Sequence, residues 1–387
     1  MGFLRTISFL LILSIGPAVL VGCGGLKLDH AVRSSPDDWP MFARTETRSN
    51  VAIQSILPPL SLQWEYDVTG GIGNGSPLIV DTLVIVGNLR GELYVISANN
   101  GNRLGWVSLG DAIQGSPVVD GSVAFVATSN SRESLVAFDL SEGSFRWKRE
   151  YGDLEVSPLL FEQRLYFGNT SGTFYCVERD KGELLWKFEL PGNEKRKGIR
   201  SSAAAVEKTV VFGAEDGSVY ALDAETGKQR WRYRTSAPVV AAPAVMDSVV
   251  YVATLGGLLH AIELSSGKPK WEFAAGSPLY ASPSFAPGTV VLGTTGGKLI
   301  ALNAGDGSNT WTTNLDGVIN SSAVVSGNIA YVGTLKKELF AVNVSTGSIV
   351  WKQSVEGRIK TTPAVARNRV VVATDERLIL SFKGEEQ

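Results

Sequence analysis

The chain has 387 residues, 44% of them hydrophobic and 19% charged, so it can bury a large core. Its formal net charge of -2 lacks the cationic excess of a general nucleic-acid binder. With 42 Gly, 16 Pro and 9 Trp it carries the punctuation of many short strands, and beyond the N-terminus no stretch is apolar for the roughly 20 residues a membrane helix needs.

Residues 1–22 read as a signal peptide: Arg5 opens it, ISFLLILSIGPAVLV is its apolar run, and small residues follow. The closing Leu20-Val21-Gly22-Cys23 resembles the bacterial lipobox, which implies that Cys23 is lipidated and becomes the new N-terminus. Met1-Gly2 with Thr6 also fits the myristoylation pattern, which the apolar run disfavours. Gly24 in place of an aspartate implies an outer-membrane destination, facing the periplasm. Residues 23–57, polar and proline-bearing (SSPDDWP, LPPL), read as a lipid-anchored tether. With Cys23 as the anchor, Cys176 stands alone and no intramolecular disulfide is available.

From residue 58 to 384 the chain repeats itself. Trp64, Trp106, Trp147, Trp186, Trp231, Trp271, Trp311 and Trp351 recur about every 40 residues, the period of a four-stranded propeller blade. A unit such as SAPVVAAPAVMDSVVYVATLGGLLHAIELSSGKPKW holds four β-branched runs separated by turn residues, with no helical period. Most of the tryptophans follow a glycine by four residues, as Gly227 and Trp231 do; Gly101 and Trp106 have one residue more. An indole in the last strand of each blade is expected to wedge against the neighbouring blade. Four residues before each glycine, Ser97, Asp139, Glu178, Asp223, Glu263, Asn303 and Asn343 are suited to tie the turn. After Trp351 come three strand-like runs and no fourth, whereas LSLQWEYDV around Trp64 has fourth-strand character without the first three. The expected fold is therefore all-β, an eight-bladed propeller of four-stranded antiparallel blades whose last blade is closed by the N-terminal strand.

Comparing units with one another also weighs single residues. His260 occupies a place held elsewhere by Tyr94, Tyr175, Tyr220 and Phe340, and Cys176 one held by Ala137, Ala221 and Ala261, so both are expected as packing side chains. One histidine and one cysteine in the repeats build neither a Cys/His metal site nor a nucleophilic triad on obvious terms. The expectation is no catalytic residue, no metal, no cofactor and no nucleic-acid partner.

The units GSPLIVDTLVIVGNLRGELYVI and SSAAAVEKTVVFGAEDGSVYALDAETGKQRW resemble the PQQ-like repeat. Within that group two functional classes compete. A PQQ-binding quinoprotein dehydrogenase would bring adjacent cysteines, a tryptophan floor and a carboxylate-held calcium; this chain has no Cys-Cys pair, and each Trp except Trp39 falls in the repeat. A ligand-binding or sensing propeller lipoprotein is a further reading. The chain is more similar to the BamB family of lipoproteins, which implies a non-catalytic scaffold of β-barrel assembly at the outer membrane. That resemblance implies docking on the periplasmic domains of a BamA-like barrel-assembly protein, and contact with unfolded outer-membrane proteins. In the longest interval between tryptophans, LPGNEKRKGIRSSAAAV carries a basic insertion. There Ile199 and Arg200 match the family's docking Leu-Arg pair, Lys197 stands where its first leucine would be, and Arg196 adds charge; a solvated basic loop is the alternative reading.

Overall fold

The computed structural model describes residues 25–129, 132–192 and 198–386. Its 32 strands form eight four-stranded antiparallel sheets, and no helix occurs among the described residues. The blades run in chain order: blade 1 covers Leu78–Ser108, blade 4 covers Ala204–Arg234 and blade 7 covers Val324–Ser354. Blade 8 takes Ala364–Ala366, Arg369–Ala373 and Leu378–Glu386 from the C-terminal end and its outer strand, Ile56–Asp67, from the N-terminal end. Pairing from Ile56 opposite Glu386 to Asp67 opposite Leu378 makes the closure that the sequence led us to expect.

Within a blade, the middle strands are buried on both faces, as Thr209–Ala214 is throughout. Such strands must be apolar on both sides, hence runs such as TVVFGA. The outer strand alternates, as in Leu184–Glu189, and meets solvent. The turn between the first two strands of several blades uses two consecutive residues at positive φ, Glu162/Gln163, Asp247/Ser248 and Arg367/Asn368, the hairpin geometry whose twist matches the strands.

The glycine-tryptophan pairs act between blades. The indole of Trp186 lies under Gly227 of the next blade, Trp231 under Gly267, Trp271 under Gly307 and Trp311 under Gly347. Each ring also donates its Nε1–H across the seam: Trp186 to Ala224 O at 3.2 Å, Trp231 to Leu264 O at 2.7 Å, Trp311 to Val344 O at 2.6 Å. Trp64 of the closing strand does the same to Ala98 O at 2.8 Å, with Gly101 on its ring, so the seam between the chain's two ends matches the others. The turns are tied by the residue four places earlier: Asp223 Oδ1 accepts from the Glu225 and Thr226 amides, and Asn343 Oδ1 from those of Ser345 and Thr346.

Trp106 departs from this pattern. The extra residue before it puts Gly105 opposite Val95, the register position that Trp147, Trp186 and Trp231 hold against Ala137, Cys176 and Ala221. Trp106 instead turns to the other face and stacks on Tyr94. The slot so vacated is filled from outside: Leu26 packs on the bare Cα of Gly105, and the Leu28 amide donates to Leu140 O at 2.8 Å. That carbonyl is the blade 2 counterpart of Ala98, Arg179 and Ala224, which accept from indoles.

The stretch expected to be a tether is thus bound to the ring where it is described. From the slot it crosses the face formed by the first and third turns of each blade, with Val32 N on Ser122 Oγ and Arg33 N on Asp81. It then enters the central channel. Trp39 pairs with Ile79 of blade 1, Pro40 with Val119 of blade 2, Glu46 with Ala205 of blade 4, Thr47 with Val245 of blade 5, and Asn50 and Ala52 with Val325 of blade 7. The innermost strands of a propeller leave backbone groups facing the axis, and this plug satisfies those of blades 1, 2, 4, 5 and 7. Arg48 lies fully buried inside it, donating to Phe42 O, Ala203 O and, at 3.4 Å, Pro158 O. Burial pulls its guanidinium down to about 9, against the pull of nearby Glu46. Composition misled here because polar and proline-rich sequence also suits a chain that spends its backbone bonds on many different strands.

Candidate functional site

With one end of the channel plugged, the other is a cup of about 340 Å³ whose lining includes the plug residue Phe42. The connections between blades line its wall. At one position per blade they present Asn74, Gln114, Glu155, Arg200, Val240, Tyr280, Asn320 and Lys360. Below that ring runs a belt of hydroxyls: the Ser76 amide donates to Ser116 Oγ, Ser116 to Ser157, Ser157 to Ser202, Ser282 to Ser322 and Ser322 to Thr362, at 2.7–3.2 Å. Ala242 stands at the one position of the belt without a hydroxyl. Each bond links neighbouring blades.

The charges at the mouth are already paired. Arg200 Nη1 donates to Glu155 Oε2 at 2.7 Å and its Nε to Glu215 Oε1 at 3.1 Å, joining blade 4 to the loop before blade 3. Lys360 lies 3.4 Å from Asp375, which also accepts from Arg358. Burial would raise the Asp375 carboxyl, but the Arg358 bonds and Lys360 outweigh it and hold the group below its ordinary value. What remains is an amphipathic lining: amides on one arc, and Val240, Ala241, Ala242 and the half-exposed Tyr280 ring on the other. Such a wall offers hydrogen bonds and stacking and no unpaired charge.

The expected docking residues separate. Arg196 and Lys197 lie outside the described residues. Arg200 sits at the cup's mouth with its side chain 37% exposed. Ile199 is corrected: it is fully buried, its side chain against the bare Cα of Gly168, and so presents nothing to a partner. Ile113 on Gly87, Val239 on Gly213, Ile319 on Gly293 and Ile359 on Gly333 repeat the contact. That recurrence was readable in the sequence, where an apolar side chain stands at the same place before seven of the eight first strands, Gly73 being the exception.

His260 and Cys176 are both packed inside. His260 Nδ1 lies 3.0 Å from Glu272 Oε1 and 3.2 Å from the Tyr233 hydroxyl. Burial lowers its pKa, Glu272 opposing. Burial raises the Cys176 thiol to about 12, so it is a poor nucleophile.

A family profile described as outer membrane protein assembly factor BamB matches residues 59–188, 178–318 and 303–386. Among curated proteins, the outer membrane protein assembly factor BamB of Legionella pneumophila (strain Paris) is 29% identical over 126 residues, 30% of this chain and 32% of that protein. The match therefore spans about a third of that relative's length. Of solved structures, BamB from Moraxella catarrhalis is similar with a TM-score of 0.69 at 21% identity, covering 84% of this chain and 99% of that one. The quinohemoprotein alcohol dehydrogenase from Comamonas testosteroni reaches 0.75 at 15% identity, covering 91% and 81%. At such identities the likeness is one of fold.

The second likeness asks whether the cup suits a quinone with its metal. Its donor set does not fit. No group of three or more His, Cys, Asp or Glu among the described residues is arranged to hold a metal ion, the carboxylates at the mouth are engaged by Arg200, Arg358 and Lys360, and the residues lining the cup include Phe42 but no indole.

Proposed function

Because this chain belongs to the family of the outer membrane protein assembly factor BamB, we propose that it is a non-catalytic scaffold of β-barrel assembly, lipid-anchored through Cys23 on the periplasmic face of the outer membrane. Residues 1–22 are then its signal peptide, lying with Cys23 outside the described residues. The observation that carries this reading is the family match from residue 59 to residue 386, which takes in the whole ring but its first strand residues. A stiff ring closed at eight seams suits a scaffold, because loops on rigid supports hold a partner at low entropic cost.

The proposed partner is the periplasmic part of a BamA-like protein, met at the mouth face by Arg200, with Arg196 and Lys197, which precede it in sequence, proposed as further contacts. The Arg200 guanidinium spends Nε on Glu215 and one hydrogen of Nη1 on Glu155; its remaining N–H groups have no partner among the described residues and are the ones proposed to take a partner carboxylate. Ile199 has no part in this contact. Unfolded outer-membrane proteins are the second proposed partner, offered the solvent-facing outer strands by backbone pairing.

A photo-crosslinking residue in place of Arg200, used in cells and followed by mass spectrometry of the adducts, tests this. The expected adduct is with a barrel-assembly protein; adducts with none of its components would overturn the scaffold role. Arg200→Ala is expected to weaken recovery of that partner while leaving the thermal midpoint nearly unchanged, since partly exposed ion pairs contribute little to stability. Purified protein supplied with quinone and calcium is expected to show no dye-linked dehydrogenase activity.

A further inference from the structure

Resting on the lipid anchor proposed at Cys23, we infer that the rim where blades 1 and 2 meet is the edge that faces the membrane, with the cup opening away from it. Three observations carry this. First, the chain is fixed almost at once: the Gly25 carbonyl and Leu26 lie over Gly105, Leu26 and Leu28 are buried, and the Leu28 amide is bonded to Leu140 O. Cys23 stands three residues before Leu26. Even fully extended, three residues reach only about 10 Å, so a lipid on Cys23 holds this slot at the depth of the headgroups. A free tether of the 35 residues from 23 to 57 would have left orientation open; the bound one does not.

Second, the outer strands on either side of the slot present apolar side chains to solvent, Leu104 at 43% and Phe145 at 39% exposed. They flank the anchor. The charges of these segments nearly balance: Arg146 is paired with Asp139 and Lys148 with Glu133, while Lys27, Arg103 and Arg149 are matched in number by Asp29, Glu142 and Glu150. The anchor and these two side chains, and not a basic patch, set the contact, so it needs no anionic lipid.

Third, the slot opens on the face of the first and third turns, where the segment touches Ser122, Asp81 and Gly143. Arg200 and Glu215 belong to the opposite face, that of the second turns and the connections between blades. An anchor at the slot therefore turns the cup and the proposed docking face toward the periplasm.

The test uses the processed lipoprotein in vesicles of zwitterionic phosphatidylcholine carrying doxyl lipids. Cys176 is buried, so a single introduced cysteine takes the fluorophore. Labels at Glu142→Cys, beside the slot, at Asp306→Cys, in the same turn of blade 6, and at Tyr280→Cys, in the cup, report distance from the bilayer. Quenching is expected to be severalfold stronger at 142 than at 306 or 280. It should fall toward the others when 20 Gly-Ser residues are inserted after Gly24, a spacer spanning about 25 Å. Equal quenching at the three sites, or strongest quenching at 280, overturns the orientation. Flotation and the acylated mass of Cys23 are read on the same samples: protein that neither floats nor carries acyl chains refutes the anchor itself, whereas protein that floats with equal quenching refutes only the inference.

Discussion

The Cα of Gly267 rests on the indole of Trp231 from the preceding blade, so close that a methyl group there would sit 2.8 Å from two ring carbons. Gly267 also has φ +70, a left-handed conformation that side chains resist. One residue thus meets two demands, the turn within its own blade and the contact across the seam.

Gly267→Ala is accordingly expected to cost about 2–3 kcal/mol, from overpacking and from the unfavourable φ together. Trp231→Ala should cost about 3–5 kcal/mol. In the double variant the alanine no longer meets a ring, so its cost should be less than the sum. Urea midpoints of the four proteins measure this, and strict additivity would show that glycine and indole do not interact.

The slot in blade 1 gives a separable effect. A side chain at Gly105 would lie within 3 Å of Leu26, so Gly105→Val should expel the N-terminal segment without unfolding the ring. Trypsin is then expected to cut after Lys27 and Arg33 many times faster than in the parent, while the urea midpoint of the remaining body moves little. Unchanged cleavage would mean that Leu26 does not hold the segment.

His260 should make stability depend on pH. Burial lowers its folded pKa below the ordinary 6.5, although Glu272 partly compensates. The unfolded chain then binds the proton first as pH falls, so stability is fully present above about 6.5 and drops below it until the folded pKa is passed. His260→Phe, the residue found at the equivalent position 340, should shrink the difference in thermal midpoint between pH 7.5 and pH 5.5.

Cys176, with its thiol raised to about 12 by burial, should resist iodoacetamide at pH 8 in the folded protein and react at once in urea. Labelling of the native ring at a rate near that of free cysteine would contradict its place in the core.

Much of this molecule is periodic, and periodicity is what a single sequence displays. The four-strand unit, the glycine-tryptophan seam and the borrowed closing strand could be read because each is repeated and the copies check one another. The same comparison would have removed Ile199 from the docking residues, since Ile113, Val239, Ile319 and Ile359 share its place and its burial. Arg200 was found for its charge, but its two carboxylate partners come from different blades and were not legible. The cup was missed for the same reason: its wall takes one residue from each of eight units, distant in sequence and unlike in chemistry.

The chain's residue pattern was enough to settle an all-β ring of eight blades and its seam, because hydrophobic alternation, turn residues and a fixed period are local properties that neighbouring units share. Folding alone decided that Trp106 leaves its seam, that Leu26 takes the empty place, and that residues 38–52 close the channel beneath Phe42. Those outcomes depend on unrepeated segments meeting surfaces that exist only once the ring has closed, and no local pattern encodes a surface assembled from several blades.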